Sequence, residues 1–256
     1  MTAPNPSTEC LHRVARLLGD TFPAYAQSKR VIVFGVGGVG SWCAEALLRT
    51  GIGHLTLVDA DTVQPSNLNR QLMATSATVG ASKVEALRER LLSIFPHADV
   101  EACHAFYGEA TADRFALDSY DYVIDAIDSL ASKAQLLLHA AAAEATLFSS
   151  MGAALKLNPT GVSVAEFWKV KGCPLAAALR RRFRKHHTFP ARKFQCVYSE
   201  ELLTNRGSLP QEQLTEAAEQ FHKAGVNGSL CHITGLFGFT LAGLVVQDLA
   251  RRYSAD

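Results

Sequence analysis

An apolar run that ends in clustered glycines, Val31-Ile-Val-Phe-Gly-Val-Gly-Gly-Val-Gly40, constrains this chain more than any other feature. Val31 to Phe34 reads as a buried strand. G-x-G-G-x-G between a strand and a helix sets backbone N–H groups and a helix N-terminus against phosphates. Gly35 suits the tight turn, Gly37 and Gly38 a close approach by ligand, and Gly40 contact between helix and strand. The helix that comes next carries Trp42, Ala46 and Leu47 and stops at Gly51 and Gly53. Leu55 to Val58 is a second apolar strand. It ends at Asp59, 24 residues after Gly35, where an acid accepting from ribose hydroxyls belongs. Together these make a β-α-β nucleotide-binding unit.

The residues just after Asp59 narrow the nucleotide. Asp59-Ala-Asp-Thr-Val-Gln-Pro-Ser-Asn-Leu-Asn-Arg-Gln71 sets Asp61, Asn67, Arg70 and Gln71 beyond the ribose acid, where hydride transfer has no use for them. The bland reading is a turn-rich loop with one solvated arginine. Alternatively, Arg70 clamps a β/γ-phosphate and stabilises charge as pyrophosphate leaves, which favours ATP over NAD. Lys83 opens the next helix, where a cation gains nothing from the helix dipole, so a role toward the ligand is favoured. Asp125 and Asp128 end another strand at the carboxyl edge of the sheet, where ligands of open α/β folds bind. One of them suits Mg²⁺ beside the phosphates, and the other suits a helix N-cap.

The rest of the chain reads as α/β: a Rossmann-like, mostly parallel sheet flanked by helices, with an antiparallel extension and an apolar C-terminal helix. Residues 11 to 28 form a helical lead-in, with Leu11, Val14, Leu17 and Leu18 on one face. Gly80 to Phe95 is an amphipathic helix, Val100 to Cys103 a short strand and Tyr122 to Ile127 a buried one. Lys133 to Ala145 is helical by propensity, and Leu147 to Ser150 is a further parallel strand. Val162, Val164 and Glu166 alternate, which suggests an antiparallel pair. Residues 204 to 225 are polar and partly helical. One domain over residues 1–256 is expected, with a basic substrate-binding segment near 170–225. Leu230 to Gln247 carries no charge, yet His232, two threonines and three glycines fit a core or interface helix better than a membrane span.

Composition sets bounds on partners and compartment. With 48% hydrophobic and 19% charged residues the chain buries a substantial core. A net charge of +1 makes no global case for nucleic acid, so any basic surface is local. Six scattered cysteines contain no C-x-x-C pair, which argues against structural zinc and a redox dithiol. With no signal-peptide pattern, reduced thiols in the cytoplasm are expected.

G-x-G-G-x-G, D-x-D-x-V-x-x-S-N-x-x-R-Q, G-x-x-K and D-x-x-D-S, in this order, resemble the ubiquitin-activating-enzyme-like (ThiF/MoeB-type) adenylating superfamily. Within it the chain is most similar to the tRNA threonylcarbamoyladenosine dehydratase branch. That similarity rests on Gly37-Gly-Val-Gly-Ser-Trp42, Thr50-Gly-Ile-Gly53, Tyr122-Val-Ile-Asp-Ala-Ile-Asp-Ser129, Lys133, Pro174-Leu-Ala-Ala177 and Cys196-Val-Tyr-Ser-Glu200. The resemblance implies a phosphate loop at Gly35 to Gly40, ribose recognition by Asp59 and phosphate contacts from Asn67, Arg70, Gln71 and Lys83. It implies an Mg²⁺-linked aspartate at Asp128 with Asp125 close by, and a homodimer in which an N-terminal arginine, Arg13 or Arg16, crosses into the partner's site. The substrate it implies is tRNA carrying N6-threonylcarbamoyladenosine, dehydrated to a cyclic form through carboxylate adenylation.

Arg180, Arg181, Arg182, Arg184, Lys185, Arg192 and Lys193 fall within fourteen residues that contain no acid. On a nearly neutral protein this suits a phosphate backbone, whereas a solvated helix normally mixes signs. Phe183, Phe189 and Phe194 among them suit base stacking or core packing. Cys196 reads either as structural or as a thiol relaying sulfur with a transfer partner. That second option sustains an alternative, adenylation of the C-terminal glycine of a ubiquitin-like sulfur carrier.

Overall fold

A computed structural model describes residues 9–208 and 227–254. The lead-in is two short helices, α1 (His12–Leu18) and α2 (Phe22–Gln27), in place of one. Gly19, at φ 115°, breaks them, and Leu17 points to solvent at 81% exposure while Leu11 is buried. The chain continues as β1 (Arg30–Phe34), α3 (Gly40–Thr50), β2 (His54–Asp59), α4 (Lys83–Ile94) and β3 (Asp99–His104). Then come β4 (Tyr122–Asp125), α5 (Leu130–Ala142), β5 (Thr146–Ser150), β6 (Ser163–Glu166), α6 (Pro174–Lys185), β7 (Gln195–Tyr198) and α7 (Cys231–Tyr253).

These strands form one seven-stranded sheet in the order β3-β2-β1-β4-β5-β7-β6. All neighbours pair in parallel except β6, which runs antiparallel to β7. The antiparallel pair expected near Val162 is therefore present. The segment near 170–225 expected to bind substrate also supplies β7 to the middle of that extension. Strand order reverses between β1 and β4, and at such a switch point the loops after the two strands part and leave a crevice at their carboxyl ends.

Alternation along β1 shows how the sheet is covered. Val31 and Val33 join a core formed with α3, α4 and α7, while Ile32 and Phe34 face the opposite core under α5 and α6. Both faces are buried, which explains why β1 and β4 read as continuous apolar runs. Helix α7 is long and apolar enough to cross a membrane by length and composition. Ile233, Phe237, Leu241, Val245 and Leu249 are all fully buried at a four-residue spacing, the packing of a core helix. Each is worth roughly 1.5–3 kcal/mol of burial. Gly238 lets α7 approach α3 closely, since a Cβ there would lie 2.8 Å from that of Trp42 and 2.9 Å from the Cys43 nitrogen.

Candidate active site

The glycine turn sits at the switch point. Gly35 has φ 82°, and a Cβ on it would lie 2.7 Å from the Ala126 carbonyl oxygen at the end of β4. A Cβ on Gly40 would collide with the Gly35 carbonyl oxygen, so helix α3 can begin here only without a side chain. Gly37 and Gly38 face the crevice side, under the side chains of Gln71 and Arg70.

Asp59, at the end of β2, is tied to the turn it serves. Its Oδ2 accepts from the Val36 N–H and its Oδ1 from the Asp61 N–H, both at 2.9 Å. Burial pushes this carboxyl above its usual range, and the Lys83 ammonium with the two N–H donors pulls it back. Lys83 lies 2.7 Å from Asp61, which offsets the poor position of a cation at the first turn of α4. Asn67 is buried in the short turn Pro65–Asn67, where its Oδ1 accepts from the Gln64 N–H at 3.0 Å. Part of Asn67 is thus committed to shaping the loop.

Arg70 is half-buried and held from several sides. Its guanidinium donates to the Ser66 carbonyl (2.9 Å) and to Asn69 Oδ1 (2.8 Å), and its own carbonyl accepts from the Trp42 indole N–H at 3.1 Å. Burial draws its pKa down from the ordinary arginine value, and the Asp128 carboxylate acts in the opposite direction. The switch point therefore brings Arg70 within electrostatic reach of Asp128, 58 residues away in sequence. Gln71 is buried with its Oε1 lacking a hydrogen-bond partner among the described residues. A buried amide over a glycine turn with capacity to spare fits a ligand at that place.

Asp125 is a correction to the sequence reading. It is fully buried and both its oxygens are engaged within the protein, where a ligand-facing acid at the sheet edge was expected. Oδ2 meets Lys133 Nζ at 2.6 Å and accepts from Ser149 Oγ at 2.6 Å, and Oδ1 accepts from the Ile127 N–H at 3.1 Å. Lys133, equally buried, also donates to the Ile127 carbonyl at 3.0 Å. The buried pair therefore grips the loop that carries the exposed Asp128. Ser149 was not readable as a partner of Asp125, because only strand pairing brings β5 beside β4, and Lys133 reaches Asp125 from the first turn of α5, folded back over the strand end.

Two other expectations are narrowed. Of its two readings, Cys196 fits the structural one: it lies on β7, fully buried, with its thiol pushed well above the ordinary value by burial. Such a thiol is inert as a nucleophile. The basic run is divided in its duties. Arg180 donates to the Phe167 and Val170 carbonyls at 3.0 and 2.9 Å, and Arg192 donates to the Ala141 carbonyl near the end of α5 at 3.1 Å. Arg181, Arg182, Arg184, Lys185 and Lys193 are exposed, whereas Phe183 and Phe194 are core residues and Phe189 is exposed. Arg13 and Arg16 are both on α1, at the surface. The polar stretch 204 to 225 lies mostly outside the described residues.

Beyond the carboxyl ends of β5 and β7, two segments are latched together. Glu201 accepts from the Leu157 and Asn158 N–H groups, both at 2.8 Å, and the buried Lys156 donates to the Ser199 and Glu201 carbonyls. Those N–H groups hold the Glu201 carboxyl below its usual range.

A family model for the ThiF family matches residues 12–250. The chain belongs to the ThiF family. It is 36% identical over 226 residues to the tRNA threonylcarbamoyladenosine dehydratase of Bacillus subtilis, covering 88% of each chain. It is 34% identical to the enzyme of that name from Haemophilus influenzae, covering 94% of this chain and 93% of the relative. Among solved structures, the Escherichia coli tRNA N6-threonylcarbamoyladenosine dehydratase in complex with ATP superposes with a TM-score of 0.83. That match is at 30% identity and covers 97% of this ThiF-family chain and 96% of the other.

Proposed function

We propose that this ThiF-family protein is an ATP-dependent tRNA-modifying enzyme that dehydrates N6-threonylcarbamoyladenosine. The observation that carries the reading is the meeting of Arg70 with Asp128 over the glycine turn, in a chain so similar to dehydratases of that name. ATP would lie with its ribose against Asp59 and its phosphates along Gly35 to Gly40, beneath Arg70, Gln71 and Lys83. The threonyl carboxylate attacks the α-phosphorus, and the bond to pyrophosphate breaks. The carbamoyl amide then closes on the activated carbonyl carbon and expels AMP, for a net loss of one water from the nucleoside.

The chain's own groups supply positioning and charge. Arg70 is placed to neutralise the charge that builds as pyrophosphate departs, with its donors already oriented by Ser66 and Asn69. Lys83 would exchange Asp61 for a phosphate, a short movement for a flexible ammonium. The residues fit Mg²⁺ of the kind that takes one carboxylate, here Asp128, and completes its shell with phosphate oxygens and water. Bound there, it would supply further charge neutralisation. Arg13 or Arg16 would complete the site across a homodimer, and the compartment would be the cytoplasm. Burial of Cys196 argues against sulfur relay through that thiol, while adenylation of a sulfur carrier's C-terminal glycine, which needs no thiol, is the alternative.

Incubation of the purified protein with ATP, Mg²⁺ and tRNA bearing the modified base, followed by digestion and nucleoside mass spectrometry, tests the reading. The modified adenosine should lose the mass of one water, with AMP formed in equal amount. An unchanged nucleoside would overturn it.

A further inference from the structure

The edge of the sheet opposite the glycine turn carries a surface for which the adenylation site has no use. Strand β6 runs antiparallel, so its last residue, Glu166, pairs with Gln195, the first of β7. Phe167 and Trp168 come at once after it, and α6 ends beside them, with Arg180 bonded to the Phe167 carbonyl. Trp168 is 37% exposed and Phe189 53% exposed, their centroids 6.1 Å apart and their planes tilted by 46°. The Arg184 guanidinium lies 5.8 Å from the centre of the Trp168 ring. Beneath them Phe167, Phe183 and Phe194 are buried and pack on one another, which fixes the base from which the exposed rings project.

The charge around these rings is of one sign. No acid occurs between Phe167 and Phe194, a stretch that holds Lys169, Lys171 and the basic run. Glu166, just before it, accepts from the Trp168 N–H at 3.1 Å and so serves the turn. Two adjacent, partly exposed rings beside a string of cations offer a patch that something planar and anionic can cover. Single-stranded and loop RNA offers both, with bases to stack on aromatic and guanidinium planes and phosphates to meet the cations.

We propose that Trp168, Phe189 and Arg184 form a stacking platform for an unpaired RNA base, flanked by Arg181 and Lys185 for the adjoining phosphates. The base that stacks here is not the one modified. Strands of four to six residues separate the two edges, which puts them roughly 13–20 Å apart or more. A single RNA stem-loop spans that distance. The proposal rests on the tRNA reading only for the choice of RNA.

The experiment titrates an anticodon stem-loop into the full-length protein and follows tryptophan emission, with binding measured in parallel by anisotropy of labelled RNA at several salt concentrations. Stacking should quench Trp168 emission. Trp168→Leu and Phe189→Leu should each weaken binding about ten- to hundredfold with the salt slope unchanged. Trp168→Tyr, which keeps a planar ring, should recover most of the affinity. Fully paired RNA should bind equally well to all four proteins. Unchanged affinity in both leucine variants, or an equal loss for paired RNA, would overturn the platform. So would quenching that grows with protein concentration without RNA, the sign of a contact between copies. Phe189, with half its surface in water, is the variant to read if Trp168→Leu fails to fold. Nucleoside analysis of wild-type turnover separates the two claims. Stem-loop binding that depends on the rings without dehydration would spare the platform and sink the dehydratase reading. Dehydration without ring dependence would do the reverse.

Discussion

Arg70 and Lys133 are both cations near the same loop, and their surroundings give them different duties. Arg70 is half-buried and packs over Gly38 of the glycine turn, so its loss should be felt in the transition state. Arg70→Ala should lower ATP–pyrophosphate exchange about a hundredfold, on the order of 3 kcal/mol, while tRNA affinity stays within about twofold. Lys133 has no solvent contact and spends its charge on Asp125. Lys133→Met leaves that buried carboxylate without its counter-charge, which costs about 3–5 kcal/mol and should lower the melting temperature sharply. The double variant Asp125→Leu/Lys133→Met removes both charges and should regain most of the melting temperature. Exchange should stay low in the double variant, because nothing then grips Ile127 and Asp128 drifts from Arg70. Wild-type exchange in the double variant would show that the pair serves the fold alone.

At the scale of elements, the latch between residues 155–158 and 199–203 gives a pH test. The folded-state pKa of Glu201 lies below the ordinary glutamate range, since the charged form accepts from the Leu157 and Asn158 N–H groups. A depressed carboxyl contributes stability that is complete above its unfolded pKa and lost as pH falls through the folded one. Hydrogen exchange at the Leu157 and Asn158 amides should therefore be slower in the wild type than in Glu201→Gln at neutral pH. The two proteins should converge as the pH falls below the usual carboxylate range. Helix α7 offers a packing test. Gly238→Ala puts a methyl group against the α3 backbone and should cost about 1–3 kcal/mol by overpacking, read as a lower melting temperature.

Across the whole molecule, the candidate nucleotide site and the proposed RNA surface lie at different edges of one sheet and should separate under mutation. Arg181, Arg182 and Arg184 are exposed, and replacing them by alanine should leave ATP affinity intact. The slope of log affinity against log salt should flatten by about one unit for each phosphate that an arginine no longer neutralises. Arg180→Ala should behave otherwise, lowering stability with little change in slope, because its guanidinium is occupied by the Phe167 and Val170 carbonyls.

The repeat of strand, glycine turn, helix and acid is local, and local sequence was enough to place β1, α3, β2 and Asp59 and to select a parallel sheet. Hydrophobic periodicity likewise marked α4, α7 and the alternation that became β6. It failed where partners are distant in sequence. Asp125 looked like a ligand because its chain neighbours include Asp128; the pairing of β4 with β5 revealed Ser149, and the packing of α5 on the sheet revealed the buried Lys133. Its motif left Cys196 open between a structural and a relay thiol, and its burial comes from β7 lying between β5 and β6. The basic run looked uniform, yet carbonyls at the ends of other elements captured Arg180 and Arg192. Periodicity and turn chemistry act over a few residues, so the sequence determined the elements and the turn that takes phosphate. Burial and electrostatics depend on what folding brings near, so the tertiary structure alone decided which charges face ligand and which hold the protein together.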